Sequence, residues 1–196
     1  MNSNKLQAKD FITVGIFTAI LFVVEFAIMM LGYISPFLVA GYCVLMPIIL
    51  GIPMMLYYTK IEKFGMITLT SILIAILLFI TGMGFLGAPI AIVSGLVADF
   101  IAKAGKYKSF KMTVLSYAVF SLWVTASYLP LIITRDSYMQ SMIDGGYEGD
   151  FVDTLFKLVT AQTYPILIIL CFVCGIIGAF LGKLIMKKHF EKAGIA

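Results

Sequence analysis

The sequence predicts an all-α integral membrane protein of six transmembrane helices with both termini cytoplasmic, and three observations carry that prediction. The first is composition. Of 196 residues, 62% are apolar and 12% charged, with a mean hydropathy of +1.07, whereas soluble domains are about 45–50% apolar and about 25% charged. The second is segmentation: the apolar residues gather in six blocks, at approximately 11–31, 36–58, 65–82, 88–102, 112–134 and 160–182, and a crossing helix needs about 20 such residues. The third is charge. With both ends inside, the inner face receives 12 of the 14 basic residues, and the outer face keeps Arg135 and Lys157 with five of the ten acids. Cytoplasmic connections hold the lysine excess in membrane proteins. The whole chain, 1–196, therefore reads as one membrane domain with no soluble domain beside it.

Block one follows Lys5 and Lys9 and is too long for a signal-peptide core, with no small-residue cleavage site after it, so it reads as a retained helix. Gly15 and Ala19 lie four apart and share a face that admits a close neighbour. Glu25 lies about 100° round from that face at 3.6 residues per turn. An acid at that depth needs a partner in the protein or in a water-filled space. Two readings stand side by side: contact with a ligand, or a structural hydrogen bond to a neighbouring helix or an outward reach to the interface.

In block two, Pro47 and Pro53 are expected to kink or break the helix. Gly82, Gly84, Gly87 and Pro89 form a flexible outer turn between blocks three and four, read as a lid. Asp99 and Lys103 near the inner end of block four are spaced for an i,i+4 ion pair. Block five carries a polar load unusual for a lipid-facing helix, with Ser116, Trp123, Ser127 and Thr134 near one face and Tyr117, Ser121 and Tyr128 on another; it reads as an interior helix. The outer stretch 135–157 reads as a long acidic loop, with a short surface helix from Asp153 onward, and as a second lid. Block six opens on Thr160, Gln162, Thr163, Tyr164 and Pro165. Its pairs Gly175/Ala179 and Gly178/Gly182 read as internal packing surfaces.

Several chemistries find no residues to carry them. The single histidine, His189, lies in a basic tail, so an intramembrane Ser-His or histidine metal site has no basis. Gly178 to Lys183 is one residue short of a phosphate loop, and Leu184 stands where Ser or Thr is required. Cys171 and Cys174 have redox spacing but sit midway along an apolar block, where cysteines act as small hydrophobes. No clustered basic face suggests nucleic acid. The expectation is a non-enzyme without metal or cofactor.

What remains is a set of residues able to line a pocket near the outer face: Glu25, Tyr33, Trp123, Tyr128, Gln162 and Tyr164. For Tyr33 and Tyr128 an interfacial aromatic belt is an equal reading. An ionised Glu25 facing that pocket favours a ligand with an amine or other cationic group.

The opening Lys5-Leu-Gln-Ala-Lys9-Asp10-Phe-Ile-Thr-Val-Gly15-Ile-Phe-Thr-Ala19, with the length, the six blocks and the inside termini, resembles the substrate-binding S components of energy-coupling factor (ECF) transporters. The pattern is most similar to the MptD-type (Trep_Strep) S components. That family docks on its membrane coupling subunit through an Ala-x-x-x-Ala motif in the first helix; Gly15 and Ala19 match the spacing, with glycine for the first alanine. The resemblance implies an S-component-like bundle in the plasma membrane of a prokaryote, within the lipid bilayer. It also implies capture of a vitamin or other small micronutrient at the outer face, with a membrane coupling protein and two cytoplasmic ATPases as partners. Two other classes compete: an autonomous proton-coupled secondary transporter using Glu25, and a membrane thiol oxidoreductase using Cys171 and Cys174.

Overall fold

The computed structural model describes residues 5–80 and 86–187, and the regular structure of those residues is entirely helical. The helices run α1 (Ala8–Leu31), α2 (Pro36–Ala40), α3 (Tyr42–Tyr58), α4 (Met66–Ile80), α5 (Ala88–Ala104) and α6 (Phe110–Phe120). A 3₁₀ segment (Ser121–Tyr128) leads into α7 (Leu129–Ile133), followed by α8 (Arg135–Asp144), α9 (Gly149–Leu158) and α10 (Tyr164–Ile185). Among them, α1, the continuous stretch Phe110–Ile133 and α10 are long and apolar enough to cross a membrane. Gly82, Gly84 and His189, which figured in the reading above, lie outside the described residues.

The long helices close into a ring. In turn, α1 packs on α3, α3 on α10, α10 on α6, α6 on α5, α5 on α4, and α4 back on α1. The closest contact in that ring is between α3 and α10, and glycine makes it possible. A Cβ at Gly178 would run into the backbone of Pro47 and Ile48, and one at Gly51 or Gly182 would strike the opposing glycine-bearing backbone. Small residues allow this approach without lipid between the helices. Gly175 meets Ala118 and Ser121 in the same manner on the α6 side.

Two helix ends differ from expectation. The second block breaks at Gly41, and α3 runs unbroken through Pro47 and Pro53. From the facing helix the Tyr117 hydroxyl donates to the Pro47 carbonyl at 2.6 Å, tying α3 to α6 at this level. In the stretch 135–157 the helix expected from Asp153 onward is present as α9, starting at Gly149, and the part read as loop is largely a second helix, α8. Val152, Leu155, Phe156 and Val159 recur at i, i+3, i+4 and i+7 and are all buried, so α9 has an apolar stripe to lay down, and it lies against α2. Arg135 fastens the pair, donating from Nη2 to the Phe156 carbonyl at 3.0 Å with its guanidinium 4.9 Å from the Phe156 ring centroid.

Lysines gather at one end of the ring. There Lys63 pairs with Asp10 at 2.6 Å, and Asp10 also accepts from the Gln7 N–H at 2.7 Å, tying the start of α1 to the α3–α4 connection. The expected Asp99–Lys103 pair is absent among the described residues. Asp99 is fully buried and accepts instead from Gly65 N–H (2.8 Å), Thr68 N–H (3.1 Å) and Thr68 Oγ1 (2.9 Å). First-turn N–H groups of a helix lack intrahelical partners and carry partial positive charge, so the start of α4 outcompetes a lysine that can remain hydrated. Lys103 lies 5.0 Å from the Phe64 ring centroid.

Candidate functional site

At the opposite, lysine-poor end the ring encloses a cavity of about 500 Å³, within the range of small-molecule sites. Its walls come from the last turns of α1 (Phe26, Met29, Met30), from Val39 and Tyr42, and from Ser127, Tyr128, Leu131 and Thr134. Tyr138 and Met142 of α8, Tyr147, and Leu155 of α9 close it above. The outer helix pair is therefore a roof, and the rim is aromatic: Tyr33 stacks on Tyr147 with ring centroids 5.5 Å apart and planes at 15°. Burial, then the neighbouring Tyr33 hydroxyl, push the Tyr147 phenol above its ordinary range, so it stays neutral at physiological pH.

Beneath lies a smaller chamber of about 30 Å³, bounded by Glu25, Met46, Leu78, Gly87, Trp123, Val124 and Ala126 and sharing Met29, Tyr42 and Ser127 with the larger one. Thr18, Leu21, Glu25 and Ile28 recur at helical spacing on the buried face of α1, which carries the acid inward. Glu25 is 3% exposed, and its Oε2 has no hydrogen-bond partner. Buried polar atoms are paired in the great majority of cases, so an orphan carboxylate oxygen beside a cavity marks a place for a donor. The structural-pairing reading of Glu25 has no partner to point to among the described residues.

Local chemistry builds both chambers. Ser121, Thr125 and Ser127 each donate to the carbonyl three residues back, at 2.9, 2.7 and 2.7 Å. Such side-chain bonds compete with regular α-helical pairing, and a mid-helix 3₁₀ stretch results where α-helix would otherwise continue. That stretch presents Trp123, Ser127 and Tyr128 to the chambers, which is where much of the polar load of block five goes. The Tyr128 hydroxyl accepts from Cys43 N–H at 2.9 Å and donates to the Ala40 carbonyl at 2.9 Å, joining the Gly41 break to the cavity wall. Tyr42 crosses the end of α1 and donates to the Met29 carbonyl at 2.7 Å; a side chain at Gly32 would occupy the space of its hydroxyl.

Of the residues singled out from sequence, Glu25 and Trp123 meet in the inner chamber, and Tyr33 and Tyr128 line the outer one. Gln162 is exposed, and neither it nor Tyr164 lines either chamber. The reason is the entry to α10: Thr163 Oγ1 donates to the Leu158 carbonyl at 2.9 Å and accepts from Thr160 N–H at 2.9 Å, a tight turn that leaves Gln162 pointing away. Tyr42, Tyr138 and Tyr147 escaped the sequence reading, because only the roof and the Gly41 break bring them in. Gly15 and Ala19 face outward from the ring, and nothing lies within 4 Å of a Cβ placed at Gly15.

Cys171 and Cys174 are buried free thiols, and Cys171 Sγ donates to the Ser121 carbonyl at 3.2 Å. Among the described residues no group of three His, Cys, Asp or Glu side chains is placed to hold a metal ion.

Comparison with known proteins gives one family. The model of Trep_Strep, described as a hypothetical bacterial integral membrane protein, matches residues 8–192. No curated protein and no solved structure matches the chain.

Proposed function

The chain belongs to the Trep_Strep family of bacterial integral membrane proteins, and from that premise we propose that it is the substrate-binding S component of an ECF-type importer. In this reading it spans the membrane six times with both termini in the cytoplasm, and the lysine-rich end of the ring is the inner one. A micronutrient enters the roofed cavity from outside, and the energy comes from partners, a membrane coupling protein with two cytoplasmic ATPases. The chain itself is then not an enzyme.

The observation that carries the reading is the roofed cavity of about 500 Å³ at the end away from the lysines. A capture subunit needs an enclosed site on the face where substrate arrives. The outward Gly15/Ala19 face supports it too, since α1 turns its acid inward and its small residues to a potential neighbour. On this account α8 and α9 form the gate, and the Tyr33–Tyr147 stack is its latch.

The test is co-purification of a tagged copy with the host's energy-coupling module, beside a Gly15→Leu/Ala19→Leu variant. The expected result is association of the native chain and its loss in the variant, with the variant still monodisperse because both positions are exposed and face away from the ring. Failure of the native chain to associate refutes the reading. The buried, unpartnered Glu25 favours a second one, an autonomous proton-coupled carrier. Uptake by the purified chain alone in ATP-free vesicles would select it.

A further inference from the structure

The two chambers differ in chemistry. The outer one is broad and walled by Phe26 and tyrosines, surfaces that stack well on a flat ring. The inner one holds room for about one small head group and ends on Glu25, among the described residues the only side chain of either wall that can carry a charge other than as a phenolate. No Lys, Arg or His lines either chamber among the described residues, and Arg135 is engaged at Phe156. A carboxylate or phosphate ligand would find no counter-charge there, which a buried anion requires. The helices above the cavity carry Asp136, Asp144, Asp150 and Asp153, with Glu148 between them, against Arg135 and Lys157, a net negative field that draws cations to the entrance.

We propose that the ligand is a small organic cation with an aromatic body, its ring held in the outer chamber and its protonated nitrogen reaching past Met29, Tyr42 and Ser127 to the free Oε2 of Glu25. The proposal rests on the roofed cavity being the substrate site; it does not require the ECF partners. Charge-assisted hydrogen bonds in a dry site are the strong ones, so the nitrogen supplies selectivity and the ring supplies buried area.

Trp123, the single tryptophan of the chain, borders the inner chamber beside Glu25 and reports its occupancy. Purified protein in nanodiscs is titrated with phenethylamine, 2-phenylethanol and 3-phenylpropionate, three probes of one ring and different heads, while Trp123 emission is followed. The expected outcome is a saturable response to the amine, at least about tenfold tighter than to the carboxylate, with the alcohol between. Glu25→Gln is expected to erase the amine preference and Glu25→Asp to retain part of it. If Glu25→Gln does not fold, the ranking of the three probes on the native chain still decides. Equal or tighter binding of the carboxylate, an unchanged preference in Glu25→Gln, or no saturable response to the amine overturns the proposal. Amine selectivity in a chain that never associates with a coupling module overturns the importer reading alone.

Discussion

The same substitution, Gly→Ala, should have opposite effects at two positions of this protein. At Gly178 the new methyl would stand 3.0 Å from the Ile48 Cα and nearer still to the Pro47 carbonyl oxygen. Both are backbone atoms of a helix, so no side chain can rotate away, and α3 and α10 must part. Overpacking of this kind costs typically about 1–3 kcal/mol, and rigid neighbours put this case at the upper end. Replacing glycine inside a helix returns up to about 1 kcal/mol of propensity, which leaves a net loss of roughly 2 kcal/mol. At Gly15 nothing lies within 4 Å of the added carbon, so the propensity gain stands alone. For a chain of this size 1 kcal/mol moves Tm by about 2–4 °C. Gly178→Ala should therefore melt about 4–8 °C below the native protein, and Gly15→Ala at the native Tm or slightly above it. Thermal unfolding of the detergent-purified variants, followed by Trp123 emission, reads both. A Gly178→Ala protein as stable as Gly15→Ala would refute the assignment of the α3–α10 seam.

Two further outcomes follow from the hydrogen bonds. Asp99→Ala strips the acceptor from the Gly65 and Thr68 donors and should cost about 1–3 kcal/mol. Asp99→Asn, which keeps an acceptor oxygen there, should recover most of that loss in the same melting assay. Tyr128→Phe leaves Cys43 N–H and the Ala40 carbonyl without their shared hydroxyl and should cost about 1–2 kcal/mol. Its effect should include faster hydrogen exchange at the start of α3, and unchanged exchange there would show that the bond is not formed.

The shortfalls of the sequence reading have both distant and local causes. Spacing alone assigns Asp99 to Lys103, one turn away, yet the donors it takes are more than thirty residues back. Gln162 and Tyr164 share a neighbourhood in the sequence with the roof, yet the Thr160–Thr163 turn keeps them off the cavity wall. Of the outer pair, the sequence reading placed a short helix from Asp153 onward, which α9 (Gly149–Leu158) bears out with an earlier start, but it read the acidic stretch of α8 as loop. Glu25 was legible because an acid at that depth is costly in lipid, and cost is a local property; it falls in the inner chamber together with Trp123.

By itself the sequence determined the solvent of this protein, its helical blocks, its lysine-rich and acidic sides and the small-residue faces on the first and last helices. Those features follow from transfer free energy and from the helical repeat, which act over a few residues at a time. The tertiary structure decided the rest: closure of six helices into a ring, the contact of α3 with α10 at glycine, the roof over the cavity and the meeting of Glu25 with Trp123. These depend on which surfaces fill one another across scores of residues. No local pattern encodes that choice, because shape complementarity exists only once both partners are in place.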